Sequence, residues 1–168
     1  MTLLPPTDSD TWIGLDDQTL PLTEALEWVN QPECGAVVLF AGNIRNHAEG
    51  RENVTEVTYE SYEEQAIPRL KEIAEKTRIK WPQVKRIVML HRIGKLEVGE
   101  TAVIVLASSA HRKDAFSAGE WCIDTLKKTV PIWKSETWDE GSDWGLDAQH
   151  ITELDELGSL IEVDDINQ

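Results

Sequence analysis

Apolar residues recur along the chain in two rhythms, every third or fourth position and every second position, and the switches between them outline its elements. Thr11 to Leu15 fits a short strand, with a turn at Asp16-Asp17-Gln18. Leu22, Ala25, Leu26 and Val29 are spaced as one face of a helix, with Glu24 and Glu27 outside it, and Asn30-Gln31-Pro32 stops that helix. Gly35 to Gly42 is nearly continuous in apolar residues, the pattern of a strand buried on both faces. Val54 to Tyr62 alternates as a half-buried strand does. Glu63 to Lys80 predicts a helix with Ala66, Leu70, Ile73, Ala74 and Thr77 on its buried stripe and Trp81 beyond. Pro68 must then lie in the first turn or kink the helix, and Pro82 ends it. Val84 to Ile93 and Thr101 to Ala107 are strongly apolar strands. Gly94 to Glu100 reads as a connection with a turn at Val98-Gly99-Glu100.

The stretch from Ser108 to Glu136 organises the rest. Ser109 is placed to cap a helix beginning near Ala110. At 100° per residue, Ala115, Phe116, Ala118, Gly119, Cys122, Ile123 and Leu126 share one arc. Lys127 falls at the edge of that arc and Lys128 on the polar face, so Lys127 is expected to be partly desolvated. Pro131 ends the helix and Ile132-Trp133-Lys134 starts a strand, a return that could bring Lys134 towards Lys127. The order is strand, helix, strand, strand, helix, strand, strand, helix, strand, which predicts an α+β or mixed α/β domain. Glu136 to Trp144 is turn-rich, with Trp138 and Trp144 suited to covering a core edge. Leu154, Leu157, Leu160 and Ile161 are helically spaced in an acidic tail, and both a docked helix and disorder are open there.

Charge alters this picture in one respect. The formal net charge is −15, but seven acids and no Lys or Arg fall in residues 1–33, and eight acids and again no Lys or Arg in 141–168. The middle of the chain is neutral, so a local basic pocket is compatible with an acidic protein, whereas nucleic-acid binding by bulk field is not expected. No apolar run is long enough for a transmembrane helix, and MTLLPPTDSD lacks the basic and apolar regions of a signal peptide. Cys34 and Cys122 have no metal-like spacing, and reduced thiols in a cytoplasmic protein are the simpler expectation.

The candidate chemistry is cationic. His111, Arg112 and Lys113 occupy a first helical turn, where the dipole is positive and acids are usual. Either an anion offsets them, or Asp114 and solvent do. Arg45 lies at the end of the Gly35–Gly42 run, in a polar loop from Asn43 to Arg51. Arg45, His111, Arg112, Lys127 and Lys134 are the groups that could converge on one anion. Lys127 and Lys134 are suited to acid/base or nucleophilic work if desolvated, and are plain surface lysines if not. There is no phosphate-loop or dinucleotide glycine motif, no Cys/His cluster and no nucleophile elbow.

In that order, GAVVLFAGNIRNH (35–47), VTYESY (57–62), KWP (80–82), HRIGKLEVGE (91–100), SSAHRKDAF (108–116) and DTLKKTVPIWKSE (124–136) resemble the large, catalytic subunit family of molybdopterin synthases over roughly residues 10 to 144. The resemblance implies an α+β, hammerhead-like α/β domain with an additional antiparallel β subdomain spanning 11–144, between a flexible 1–10 segment and an acidic 145–168 tail. It implies sulfur transfer from the C-terminal thiocarboxylate of a small ubiquitin-like subunit with a Gly-Gly tail to cyclic pyranopterin monophosphate, giving the molybdopterin dithiolene. It implies no resident cofactor or metal. It implies a homodimer carrying one small subunit at each outer end, with an anion site that a second copy can complete. By the same resemblance Lys127 is the chief catalytic lysine and Lys134 the second. Asn43, Ile44, Arg45, His111, Arg112, Ser135 and Glu136 stand at or beside substrate-binding positions. Two positions depart from the family. Asn43 stands where some members have lysine, and Gly-Leu-Asp-Ala-Gln at 145–149 lacks an arginine that many members carry. The competing expectation is a non-catalytic anion-binding or scaffold subunit on the same fold, against which the joint presence of Lys127 and Lys134 argues.

Overall fold

The computed structural model describes residues 3–48, 50, 52–138 and 141–144. The strands are β1 (Thr11–Asp16), β2 (Ala36–Asn43), β3 (Val54–Ser61), β4 (Val84–Arg92), β5 (Gly94–Glu97), β6 (Thr101–Ser109), β7 (Ile132–Trp138) and β8 (Gly141–Trp144), and the helices are α1 (Leu22–Val29), α2 (Glu63–Lys80) and α3 (Arg112–Thr129). One sheet has the order β1-β4-β6-β2, with β1 parallel to β4 and the other pairs antiparallel. The second sheet, β5-β3-β7-β8, is antiparallel throughout. This is the expected α+β arrangement, an α/β layer with an additional antiparallel β subdomain.

The two central strands explain the long apolar runs. Ile87 and Met89 of β4, with Val103, Val105 and Ala107 of β6, pack under α2 and α3 through Leu70, Ile73, Ala118, Cys122, Ile123 and Leu126. The alternate residues Val88, Leu90, Ile104 and Leu106 meet Ala25 and Val29 of α1 and Trp12 of β1 on the opposite face. Both faces are covered, so period-2 alternation disappears from the sequence. The stripe on α2 is buried as its spacing predicts, and Thr77 donates to the Ile73 carbonyl (2.7 Å) while touching Cys122 Sγ (3.2 Å). Burial pushes the Cys122 thiol up to about 11, with the Thr77 hydroxyl and the Arg78 charge easing it the other way.

Several expectations are corrected. β2 is the edge of its sheet, not a strand buried on both faces, and Leu39 is 42 % exposed. An apolar run cannot reveal that, among the described residues, no strand pairs with its far side. Gly94–Glu97 is a strand paired to β3, not a plain connection, and Gly141–Trp144 extends β7 as a hairpin. Ser108 and Ser109 finish β6, so Ser109 is no cap. His111 is the extended residue before α3 and makes no side-chain cap bond. Phe116 is exposed (63 %), and Thr125 and Thr129 are buried in its stead, which rotates the buried stripe away from Phe116. Pro68 lies in the second turn of an unbroken helix.

Residues 3–10, expected as a flexible lead-in, form no helix or strand. Leu3 nevertheless packs on the α1 side of the core, and the Pro6 carbonyl accepts from Trp28 Nε1 (3.1 Å). Trp138 covers the edge of a third apolar cluster formed by Ile44, Val54, Val57, Leu96 and Ala102. The expectations for 145–168, namely the helix or disorder and the missing arginine, lie outside the described residues. Among the described residues no helix is long and apolar enough to cross a membrane.

Candidate active site

The chain leaves the first sheet at Arg92 and enters the second at Gly94, whose φ of +82° lies in the left-handed region that glycine adopts without a side-chain clash. That crossover puts the C-terminal end of α3, the end of β2 and one face of β3 and β7 around a common cleft of about 470 Å3. Its walls bring together Asn43, Ile44 and Arg45 from the end of β2, Lys127 from α3, and Lys134 and Glu136 from β7.

Each of these is positioned by a specific local feature. Gly42, just before Asn43, has Val103 Cγ1 only 2.6 Å from where a Cβ would stand, so β2 lies flat against β6 there. Asn43 Oδ1 then accepts from Thr101 Oγ1 (2.8 Å). Ile44 is buried. Its N–H donates to the Glu100 carbonyl (2.8 Å), and its own carbonyl accepts from the Gly99 N–H (2.7 Å). Arg92 Nη1 in turn donates to Glu100 Oε1 (2.8 Å), and the Glu97 N–H donates to Glu100 Oε2 (2.7 Å). The Arg92 guanidinium holds the Glu100 carboxyl below the usual carboxylate range. Arg45 is therefore an exposed cation on a rigid base.

Lys127 follows Leu126, a core residue, and projects from the edge of the buried stripe. It is exposed rather than partly desolvated, with Nζ 5.9 Å from the centroid of the Phe40 ring, the outer range of a cation–π contact. Lys134 and Glu136 are two residues apart on one strand, hence on one face, with Nζ 2.7 Å from Oε1. Glu136 is 5 % exposed and Lys134 about a third, so Glu136 offsets part of the positive charge that Lys134 brings near Lys127. The cleft thus carries three cations against one carboxylate among its described lining residues, a setting that holds an anion and can donate protons.

Three of the expected site residues lie elsewhere. Ser135 points to the opposite face of β7, where its hydroxyl donates to the Asp143 carbonyl (3.3 Å). His111 and Arg112 are exposed at the start of α3. Lys127 is fifteen residues further along the helix, roughly 22 Å away at 1.5 Å per residue. Within one chain these two groups of cations do not converge.

Two aromatic residues in the cleft escaped attention in the sequence. His91 is buried and lines the cleft floor, with its ring edge-on to Tyr59 (4.8 Å between centroids, 77° between planes). Burial pushes His91 down to about 4. The hydrogen bond between Nδ1 and the Arg92 carbonyl opposes the shift, and the Lys127 charge adds to it. Burial, with the Glu136 carboxylate second, pushes the Tyr59 phenol up to about 12. The available signal was phase. His91 continues the Ile87–Met89 alternation to the strand end, so a polar ring falls at a core-facing position.

Among the described residues no group of three or more His, Cys, Asp and Glu side chains is placed to hold a metal ion. The chain matches the model of the MoaE protein family over residues 15–129. It is 41 % identical to the molybdopterin synthase catalytic subunit of Taeniopygia guttata, covering 79 % of this chain and 85 % of that protein. It is 42 % identical to molybdopterin synthase catalytic subunit 1 of Mycobacterium tuberculosis, covering 77 % and 87 %. Its fold superposes on the crystal structure of molybdopterin synthase from Staphylococcus aureus with a TM-score of 0.73 at 35 % identity, covering 78 % of this chain and 94 % of that one. With the family model spanning most of the domain and relatives matched along most of their length, the chain belongs to the MoaE protein family.

Proposed function

We propose that this chain is the catalytic subunit of a molybdopterin synthase, a sulfurtransferase of molybdenum cofactor biosynthesis. It takes sulfur from the C-terminal thiocarboxylate of a small ubiquitin-like subunit and passes it, in two rounds, to cyclic pyranopterin monophosphate. In each round a pterin carbon–oxygen bond gives way to a carbon–sulfur bond, the displaced oxygen leaving as water or with the opened phosphate ester, and water then hydrolyses the acyl carbon–sulfur bond, so that the donor departs as a carboxylate and the sulfur stays on the pterin. No resident cofactor enters this reading, and the reaction is placed in the cytoplasm, where Cys34 and Cys122, both free, stay as thiols.

One observation carries the reading. Arg45, Lys127 and Lys134, from three separate elements, line a single cleft in a chain whose relatives are catalytic subunits of this enzyme. Lys127, at the open wall, supplies an ammonium beside the donor carbonyl. Lys134, held by Glu136, binds substrate and moves protons during ring opening. Arg45, with Asn43 and Ile44 shaping its loop, binds the phosphate. Ser135 spaces Lys134 and Glu136 onto one face. His111 and Arg112 serve the cleft of a second copy in a homodimer, where the roughly 22 Å along α3 becomes a bridge between two sites.

The test is reconstitution with the thiocarboxylated small subunit and the cyclic pterin. Lys127→Ala abolishes product while the complex stays intact, and a variant that made molybdopterin at the wild-type rate would remove Lys127 from the mechanism. Arg112→Ala weakens pterin binding, and unchanged binding would remove the helix start from the site.

A further inference from the structure

The cations account for an anionic substrate, but the floor of the cleft is uncharged and has a hydrogen-bonding character of its own. His91 is the last core-facing residue of β4 before the chain turns at Arg92, so its ring meets the cleft instead of helix side chains. Tyr59 comes from the other sheet. It stands opposite Lys134 on β7 and opposite Gly94 on β5, and Gly94 contributes no side chain there. The two rings meet edge to face where the sheets join.

The polarity of the floor follows from one contact. His91 Nδ1 lies 2.6 Å from the Arg92 carbonyl oxygen. A carbonyl only accepts, so Nδ1 carries the hydrogen and Nε2 carries a lone pair. Burial beside the Lys127 charge keeps the ring neutral. Among the described residues the one hydrogen bond of the His91 ring runs through Nδ1, so Nε2 and the Tyr59 hydroxyl are left to whatever enters the cleft that both side chains line. Neither atom is sealed from the cleft, so one acceptor and one donor are open to it together, an arrangement that a ligand completes. The Tyr59 phenol keeps its proton through the whole neutral range, so it donates.

We propose that His91 and Tyr59 are specificity-determining residues that bind the uncharged nitrogen heterocycle of the substrate. His91 Nε2 accepts from a ring or exocyclic N–H, and the Tyr59 hydroxyl donates to a neighbouring ring nitrogen or carbonyl oxygen. The proposal rests on the function given above and divides the site between two tasks. Arg45, Lys127 and Lys134 on the walls take the phosphate and the reacting groups, and the floor reads the ring. A simple anion satisfies the walls and leaves the floor unmatched, so the floor separates the heterocycle from phosphate alone.

The experiment measures two affinities on the assembled complex, that of cyclic pyranopterin monophosphate by calorimetry and that of inorganic phosphate as its competitor. Tyr59→Phe keeps the ring and its edge contact and removes only the hydroxyl. It weakens the pterin roughly tenfold, the effect of one lost hydrogen bond in a desolvated site, and leaves phosphate unchanged. His91→Phe weakens the pterin at least as much. His91→Gln, which keeps an acceptor, restores pterin binding to within about threefold of wild type. In turnover the losses fall on KM more than on kcat, because the ring is held alike in the ground and transition states. Wild-type pterin affinity in Tyr59→Phe and His91→Phe would overturn the proposal, and so would equal losses for pterin and phosphate, which mark a collapsed cleft. A wild-type complex that bound phosphate but not the pterin would overturn the proposed function itself, and the floor reading with it.

Discussion

Lys134 Nζ stands 2.7 Å from Glu136 Oε1 on one face of β7, and the carboxylate is almost fully buried while the ammonium is a third exposed. The pair is asymmetric, because Glu136 has more to lose from separation than Lys134. Lys134→Ala takes a cation from a buried carboxylate and is expected to lower unfolding stability by about 1–3 kcal/mol, a range reduced for the partial exposure of the lysine. Lys134→Met combined with Glu136→Gln recovers most of that stability without recovering turnover. Urea denaturation and product formation, measured on both variants, check the two halves of this expectation.

The two ends of α3 serve different sites if a second copy completes the cleft. Lys127→Ala and Arg112→Ala chains, each inactive or impaired alone, are expected to restore activity when refolded or expressed together. In a mixed dimer one cleft keeps both groups, so random assortment yields up to about a quarter of the wild-type sites. Strict additivity of the two defects in the mixture would confine both groups to one chain.

His91 makes stability depend on pH. Folded, it stays neutral down to about 4, and unfolded it returns to its ordinary 6.5. Between those values the unfolded chain binds a proton that the folded chain does not. The contribution is therefore complete above pH 6.5 and is lost as pH falls towards 4, by on the order of 3 kcal/mol in all. The groups facing the ring are Tyr59, the Arg92 carbonyl and Lys127, and the Tyr59 phenol, pushed up to about 12, keeps its proton throughout that window. His91→Gln should flatten the fall in stability between about pH 6.5 and pH 5, measured by denaturation at each pH against wild type. An identical slope in the variant would assign the fall to carboxylates.

Gly94 is the hinge by which the chain passes between the sheets, at a φ of +82°. A Cβ there would meet only Asp17 Cβ at 4.0 Å, so space is not the obstacle. The backbone conformation is. Gly94→Ala is expected to cost about 1–2 kcal/mol, read as a lower thermal midpoint, with a rise in KM because His91 and Tyr59 flank the crossover.

Local periodicity was enough to place most of the elements, the stripe of α2 and the strongly apolar strands β4 and β6, because those patterns record which side of a segment meets apolar neighbours. It also marked Lys127 at the edge of a buried arc, and Lys134 beyond a proline return. Arg45 stood out as the basic residue nearest the end of an apolar run. Three things were decided only by the tertiary structure. β2 lies at a sheet edge and Gly94–Glu97 pairs with β3, since four residues carry too little pattern to announce a partner. His111 and Arg112 fall at the far end of α3 from Lys127, a separation set by the helical rise and concealed when cations are gathered by type. The floor formed by His91 and Tyr59 exists because two strands from different sheets meet at the Gly94 crossover. A residue's phase within its own strand reports the face it occupies, but the neighbour waiting on that face is a property of the whole fold.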